Sequence, residues 1–195
     1  MYNMLSDNYN SLDPIVLEDG DTLVSRGMSG NIKLIPDRYS GASILDTSNM
    51  TSIQSLFEGL YALKRIPIID TSNVTNMGSA FKYCEVITSI PQLDTSNVTN
   101  MSNMFSSCYA LTSVPQLDTS NVTNMEWMFS SCSSLETIPL LDTSNVTDMH
   151  NMFYGCKNLE HFTINLDTYN FTSVTDMSKM FLNCYNFIIY SFFFF

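Results

Sequence analysis

A motif of 24 residues returns along this chain and constrains its fold more than any other feature. The nine residues from Leu93 to Met101 are repeated without change from Leu117 to Met125. A unit this short cannot bury its own apolar side chains, so we expect the copies to stack as a solenoid. The last copy carries three extra residues before Val174. Copies 1 to 6 span 45–190 and begin at Leu45, Ile69, Leu93, Leu117, Leu141 and Leu166.

A second block recurs in each copy and suggests its local structure. In copy 3 the block consists of Met101, Met104, Phe105, Cys108, Leu111, Val114 and Pro115. The first four have the i, i+3, i+4, i+7 spacing of one face of a short helical turn. Leu111 and Val114 precede a proline, which indicates a short strand that ends there. Asp94 to Asn97 supply the side chains that favour a turn. We therefore predict an α/β repeat solenoid of six coils, each with one short strand and one short helical turn.

The two ends lie outside the repeat. Residues 1–44 contain Ile15–Leu17 and Thr22–Val24 on either side of an Asp-Gly pair, which predicts a β-hairpin. Ile32–Pro36 indicates a further strand. Since solenoid ends need protection, we interpret 1–44 as an N-terminal β cap, with an attachment segment as the alternative. Residues 191–195 form an apolar tail that either covers copy 6 or marks a truncation.

The repeat unit Leu-Asp-Thr-Ser-Asn-Val-Thr-Asn-Met-x-x-Met-Phe-x-x-Cys-x-x-Leu-x-x-Ile-Pro resembles that of the BspA-like leucine-rich-repeat surface proteins. The resemblance covers Leu45 to Tyr190 and implies a leucine-rich-repeat solenoid in an extracellular or cell-surface protein associated with adhesion. It offers no catalytic residues to carry over.

The start of the chain lacks the basic and apolar pattern of a secretory signal, and the apolar stretch 187–195 is shorter than the roughly 20 residues of a membrane span. Because this apolar stretch is too short to span a bilayer, we expect no membrane insertion.

The charge and the sparse catalytic inventory exclude several functions. A formal net charge of −11 repels nucleic acid and anionic membranes. His150 and His161 are the only histidines, and neither lies in a nucleophile, zinc or acid–base motif. No glycine-rich phosphate loop is present. We predict that the protein is not an enzyme and needs no cofactor.

Five cysteines fall in one column of the repeat, one per copy from copy 2 onward: Cys84, Cys108, Cys132, Cys156 and Cys184. Leu60 fills this column in copy 1, which indicates a core position where cysteine acts as a small hydrophobe. Disulfides between stacked copies would need a torsion that parallel side chains do not provide. No CxxC spacing suggests zinc. We therefore predict buried free thiols.

An aspartate column also runs through the copies: Asp46, Asp70, Asp94, Asp118, Asp142 and Asp167. Stacking would hold these like charges about 5 Å apart, so they need compensation. Backbone amides of the following Ser and Asn can provide it. The alternative is calcium bridged by Asp70, Asp94, Asp118 and Asp142.

Asn-x-Thr sequons recur at Asn49, Asn73, Asn97, Asn121, Asn145 and Asn170, and we interpret them as by-products of a structural asparagine row.

Positions that differ between copies mark the surface available for binding. One variable row follows the cysteine column: Tyr61, Glu85, Tyr109, Ser133, Lys157 and Tyr185. A second row lies between the two strand apolars: Lys64-Arg65, Thr88-Ser89, Thr112-Ser113, Glu136-Thr137 and Glu160-His161. Trp127 stands in an otherwise polar column, either exposed as a binding anchor or partly buried against a neighbouring copy.

These rows favour a non-catalytic recognition or adhesion module that contacts a protein or glycan on a cell surface. One alternative is a structural assembly component, such as a virion appendage subunit, that self-associates through the solenoid ends. The other is a calcium-stabilised rod, which is compatible with either function.

Overall fold

The fold is taken from a computed structural model, which describes residues 22–23, 32–36, 43–45, 47–159 and 169–185. Its strands are β1 (Thr22–Leu23), β2 (Ile32–Pro36), β3 (Ser43–Leu45) and β4 (Ile68–Ile69). They form one sheet in the order β1-β2-β3-β4. The β1–β2 and β2–β3 pairs are antiparallel, whereas β3–β4 is parallel.

The sheet connects the N-terminal segment to the repeat in the repeat's own register. Ile44 of β3 pairs with Ile68 of β4, which lies 24 residues further along. β3 therefore pairs with β4 at the same 24-residue offset that separates successive copies of the repeat. The partner of β1 in the described residues is β2, with Thr22 opposite Lys33. The predicted hairpin partner Ile15–Leu17 lies outside the described residues, and the role of 1–44 as a cap stays a prediction.

Successive copies are joined by backbone hydrogen bonds between equivalent positions. A ladder of parallel bridges runs through all six copies: Ser52, Asn76, Asn100, Asn124, Asp148 and Asp176. Further along each copy, the amide of Phe105 donates to the carbonyl of Met128 at 2.9 Å, and Phe129 repeats this contact with Met152 at 2.9 Å. The copies thus stack in parallel, with like residues beside like residues.

The block expected to form a helical turn instead consists of overlapping β-turns in the described residues. In copy 3 the amides of Met104, Ser106 and Cys108 donate to carbonyls three residues back, at 3.2, 3.0 and 3.0 Å. Asn103 precedes the first of these donors and Ser107 lies between the last two. Their φ angles of 57° and 62° are in the left-handed region that no α-helix contains.

The backbone amides of this block donate alternately within the copy and to the next copy, which explains why β-turns form instead of a helical turn. A helix uses its amide groups within the segment, whereas here every second amide turns outward to the next copy. Asn103 donates to the carbonyl of Glu126 at 2.8 Å, and Ser107 to that of Ser130 at 2.7 Å. Alternating turn bonds and inter-copy bonds therefore satisfy the backbone while keeping the copies stacked.

The inward direction of this block is as predicted. Met101, Met104, Phe105 and Cys108 all have 0% exposure. Their copy-to-copy equivalents form one continuous apolar core. Its most regular part is a ladder of stacked rings with centroids 5.4 to 5.6 Å apart: Phe57, Phe81, Phe105, Phe129, Phe153 and Phe181.

The strand expected at Leu111–Val114 is not regular in the described residues. Single bonds cross between copies here, such as Thr112 to the carbonyl of Thr88 at 3.3 Å. The corresponding strand of the first copies, β4, comes after Pro67 rather than before it. A proline cannot donate to a ladder, so it separates this region into isolated contacts and short pairs.

Candidate functional site

The two variable rows are largely on the surface, as their variation predicts. Lys64, Arg65 and Glu136 are exposed, as are the threonine and serine pairs at the same positions of copies 2 and 3. Glu160 and His161 lie outside the described residues. In the row after the cysteines, Tyr61 is half-buried and Tyr109 is 42% exposed.

Apolar and aromatic side chains occupy neighbouring columns in three consecutive copies. We call Tyr61, Tyr83, Val86 and Tyr109 the aromatic patch. Tyr83 is 36% exposed and Val86 43% exposed. The Tyr61 and Tyr83 ring centroids are 6.4 Å apart, and the ammonium group of Lys82 lies 5.2 Å from the Tyr83 ring centroid. Exposed tyrosines with a cation beside them are suited to protein or glycan contacts.

Sequence reasoning identified only half of this patch. Tyr83 and Val86 were missed because they lie in columns that are otherwise small or polar, with Ser107 and Ala110 at the same positions of copy 3. The signal that could have found them is the same one used for Trp127, a large residue in a column of small ones.

Tyr185 belongs to the same column as Tyr61 and Tyr109 but not to the patch. It is 72% exposed and lies in copy 6, three copies beyond Tyr109. At about 4.8 Å per copy, some 14 Å separate the two tyrosines. Met177 and Leu182 in the same copy are 41% and 47% exposed.

Trp127 is an inter-copy contact rather than an exposed anchor. Its side chain is partly buried, and its Nε1 donates to Nε2 of His150 in copy 5 at 2.8 Å. The ring also meets Tyr154, with centroids 6.1 Å apart. Of the two interpretations drawn from the sequence, the structure supports the partly buried one.

His150 connects Trp127 to two carboxylates. Its Nδ1 lies 2.7 Å from Oδ1 of Asp148 and 3.6 Å from Oε2 of Glu126. Because Nε2 accepts from Trp127, the neutral ring carries its proton on Nδ1 and donates it to Asp148. Sequence reasoning dismissed His150 for want of a motif. The missed signal was that Glu126 and His150 replace a small residue at the same position of adjacent copies.

The aspartate column is compensated mainly by the serine that follows each carboxylate. Oδ1 of Asp94 accepts the Ser96 hydroxyl at 2.7 Å and the Ser96 amide at 3.1 Å. These two bonds hold the pKa of Asp94 below its ordinary value, and Ser72 and Ser120 do the same for Asp70 and Asp118. At Asp142 the Ser144 amide is the largest cause of the lowered pKa.

Copy 6 departs from the aspartate column. There Oδ1 of Asn170 accepts the amide and hydroxyl of Thr172, at 3.0 and 2.7 Å. Asn170 therefore takes the place assigned to Asp167, while Asp167 and Asp46 lie outside the described residues. The insertion in copy 6 shifts the chain so that Ser173 stands in the asparagine row. A neutral side chain thus serves the same turn that an aspartate serves in the earlier copies.

The asparagine row bonds along the stack through backbone carbonyls. Nδ2 of Asn97 donates to the carbonyl of Ser72 at 2.8 Å, and Asn121 does the same to Ser96 at 2.8 Å. This arrangement supports the structural interpretation of the sequons at Asn73, Asn97, Asn121 and Asn145. It does not apply to Asn170, which lies in the aspartate column because of the insertion in copy 6.

The prediction of buried free thiols is confirmed for four cysteines. Cys84, Cys108, Cys132 and Cys156 are buried, and Cys184 is partly exposed. Each thiol donates to the carbonyl of a phenylalanine in the preceding copy, as Cys108 does to Phe81 at 3.1 Å. Burial raises the pKa of Cys108 to about 12 and that of Cys84 well above its ordinary value.

An open groove of about 620 Å³ lies between copies 3, 4 and 5. The bond from Gln116 Nε2 to the carbonyl of Leu140, at 2.9 Å, crosses it. Its lining is acidic and polar apart from three leucines: Gln116, Leu117, Asp118, Thr119, Ser120, Leu140, Leu141 and Asp142.

No helix in the described ranges has the length and apolar character to cross a membrane.

Comparison with known families finds one described as "Mycoplasma protein of unknown function, DUF285", which matches residues 36–137 and 110–190. No curated protein and no solved structure matches the chain.

Proposed function

We propose that this chain, which belongs to the DUF285 family, is a non-catalytic recognition module that binds a protein or glycan. The proposal places contact on the variable rows of a leucine-rich-repeat-type solenoid. The constant columns serve as the frame that holds those rows in place.

The aromatic patch is the observation that carries the proposal. Tyr83, Val86 and Tyr109 are exposed, and at the positions of Tyr83 and Val86 the other copies hold small or polar residues. Exposing apolar rings in water has a cost, and tyrosine is among the residues that dominate binding energies at interfaces. Stacked copies also hold the rings on a rigid base, which limits the entropy lost on binding.

The resemblance of the repeat to BspA-like proteins supports an extracellular or cell-surface location and an adhesive role. The net charge of −11 argues against nucleic acid and anionic membranes as partners. Zwitterionic and neutral partners, such as glycans, meet no such repulsion.

Binding can be tested with substitutions that the repeat itself provides. In the triple variant Tyr83→Ser, Val86→Ala, Tyr109→Ser, each new residue already stands in the same column of another copy. The wild-type chain and this variant would be compared on a glycan array and in pull-downs from cell-surface extracts. We expect the variant to lose at least about tenfold in affinity, because truncating a single aromatic hot spot of an interface costs about 2 kcal/mol or more.

A matched control removes an exposed apolar residue elsewhere. Leu140 is 57% exposed, and Gln116 occupies its column in copy 3, so Leu140→Gln keeps the frame and spares the patch. Equal binding by wild type and the triple variant, or equal loss in Leu140→Gln, would refute binding through the patch.

A structural assembly component is the second candidate, favoured by the exposed apolar residues of copy 6. Met177, Leu182 and Tyr185 offer a surface for a second copy of the chain. Light scattering over a range of concentrations tests this function. A strict monomer at high concentration rejects it, and a dimer abolished by Tyr185→Ser supports it.

A further inference from the structure

Glu126, Asp148 and His150 bring three potential metal ligands together at the junction of copies 4 and 5. One ligand atom from each residue lies within 4.8 Å of the others, the only such set among the described side chains. A tetrahedral zinc ion with ligands at 2.0–2.2 Å needs them about 3.4 Å apart. The distances from Nδ1 of His150, 2.7 Å to Asp148 and 3.6 Å to Glu126, lie on either side of that value.

The backbone holds this cluster in place. Asp148 belongs to the bridge ladder, and its Oδ1 also accepts the His150 amide at 3.0 Å. Glu126 and His150 occupy the same position of adjacent copies, so the stack sets their spacing. All three side chains are partly exposed, which leaves room for water to complete the coordination shell.

The combination is confined to one place in the described repeat. At the Glu126 and His150 position the other copies have Gln54, Gly78, Ser102 and Ser178. The Asp148 position holds asparagine in copies 2, 3 and 4. Copy 6 also has an aspartate in the Asp148 column, Asp176, but it has Ser178 in the Glu126 and His150 column, so the three metal-binding groups meet only between copies 4 and 5 of the described repeat.

We propose that Glu126, Asp148 and His150 bind one divalent transition-metal ion, with zinc as the best match. An imidazole with two carboxylates suits a borderline ion, whereas calcium and magnesium prefer oxygen alone. The ion takes the lone pair of Nδ1, so the proton on Nδ1 leaves and a proton is gained at Nε2 through solvent. Nε2 then no longer accepts from Trp127, and the bond between the two side chains breaks.

This exchange makes Trp127 a reporter of the site, because it is the only tryptophan in the chain. The full chain, stripped with chelator, is titrated with zinc chloride in a buffer that does not bind metal. Tryptophan fluorescence follows the titration, and equilibrium dialysis counts zinc per chain. We expect one zinc per chain, a saturable fluorescence change that chelator reverses, and no change with calcium.

Variants drawn from the other copies separate the ligands from the fold. Asp148→Asn and His150→Ser install residues already present in their columns, and circular dichroism checks that each variant folds. Loss of an outer partner alone weakens metal affinity about 10- to 100-fold, so removing a direct ligand should cost at least about tenfold. Glu136→Thr is the control, since it removes one negative charge at an exposed position, as Glu126→Ser does inside the cluster.

His150→Ser removes the hydrogen-bond partner of Trp127, so this variant changes the tryptophan fluorescence even without metal. Its zinc binding is therefore measured by equilibrium dialysis. Zinc uptake that survives both Asp148→Asn and His150→Ser would place the metal elsewhere, for instance on the partly exposed Cys184, and overturn the proposal. The proposal would also be overturned if the wild-type chain took up no zinc at millimolar concentration. The same holds if Glu136→Thr lost as much zinc affinity as the cluster variants.

Discussion

Truncating one ring of the phenylalanine ladder tests how the stacked copies are held together. Phe105 has 0% exposure and stacks between Phe81 and Phe129, with centroids 5.6 and 5.5 Å away. Truncating a buried phenylalanine to alanine costs about 3–5 kcal/mol. That is a large part of the roughly 5–15 kcal/mol that holds a domain folded.

A second substitution divides this cost between ring stacking and volume. Phe105→Leu keeps most of the buried volume but loses both stacked pairs, each contributing about 0.5–1.5 kcal/mol. We therefore expect it to lose about 1–3 kcal/mol. Phe181 in copy 6 is only partly buried, so Phe181→Ala should cost less than Phe105→Ala.

Urea unfolding, followed by far-ultraviolet circular dichroism and by Trp127 fluorescence, measures these differences. Coincident curves from the two probes establish whether the copies unfold together. Tyr109→Ser provides the surface control, expected within about 0.5 kcal/mol of wild type. A loss below about 1 kcal/mol for Phe105→Ala, or equal losses for Phe105→Ala and Phe181→Ala, would show that the ladder does not hold the stack.

Four further predictions follow from the columns. Ellman's reagent should modify Cys184 in the native protein and the four buried thiols only after unfolding; equal rates at all five would contradict the burial that raises the pKa of Cys108 to about 12. The carboxylates of Asp70, Asp94, Asp118 and Asp142 have lowered pKa values when folded, so their contribution is present above the ordinary value of 3.8 and is lost as pH falls through the folded pKa. Asp94→Asn should keep its turn, as Asn170 does, and reduce the acid sensitivity measured by urea unfolding at pH 5 and pH 3; an unchanged difference between the two pH values would reject this account. Since serine already compensates these carboxylates, adding calcium to the zinc-free protein should leave its melting temperature unchanged, and a rise with calcium would favour the calcium-stabilised rod instead. At Ser131, where φ is 61°, Ser131→Val should be less stable than Ser131→Gly by at least about 1–2 kcal/mol, and equal melting temperatures would argue against a left-handed backbone there.

The repeat period, the inward block and the thiol column could be predicted because each depends on burial alone. Met101, Phe105 and Cys108 recur at fixed spacing, and any stacked arrangement that buries them satisfies the pattern. The same spacing does not distinguish a helical turn from successive β-turns, since both bring residues three and four apart to one side. What decides between them is where the amides of Asn103 and Ser107 donate, and that partner lies 23 residues away in the next copy.

The candidate sites were harder to predict for a related reason. Tyr109 was found because its column varies from copy to copy, but Tyr83 required reading a large residue against a column of small ones. Glu126, Asp148 and His150 form a cluster only after copies 4 and 5 stack, so no local motif marks them. Their proximity arises from the register between copies, which the sequence expresses only as a difference between neighbouring repeats.

The regular inter-copy bonding also bears on how such genes change in length. A deletion of residues 94–117 would join Leu93 to Asp118, and the nine residues across the junction would read as before. Phe81 would then find Met128 where it now donates to Met104, with the same geometry on both sides. Tyr109 would be lost, while Glu126, Asp148 and His150 would stay together. Recombination between tandem repeats can therefore shorten or extend the molecule in steps of one copy and exchange one surface feature while preserving another.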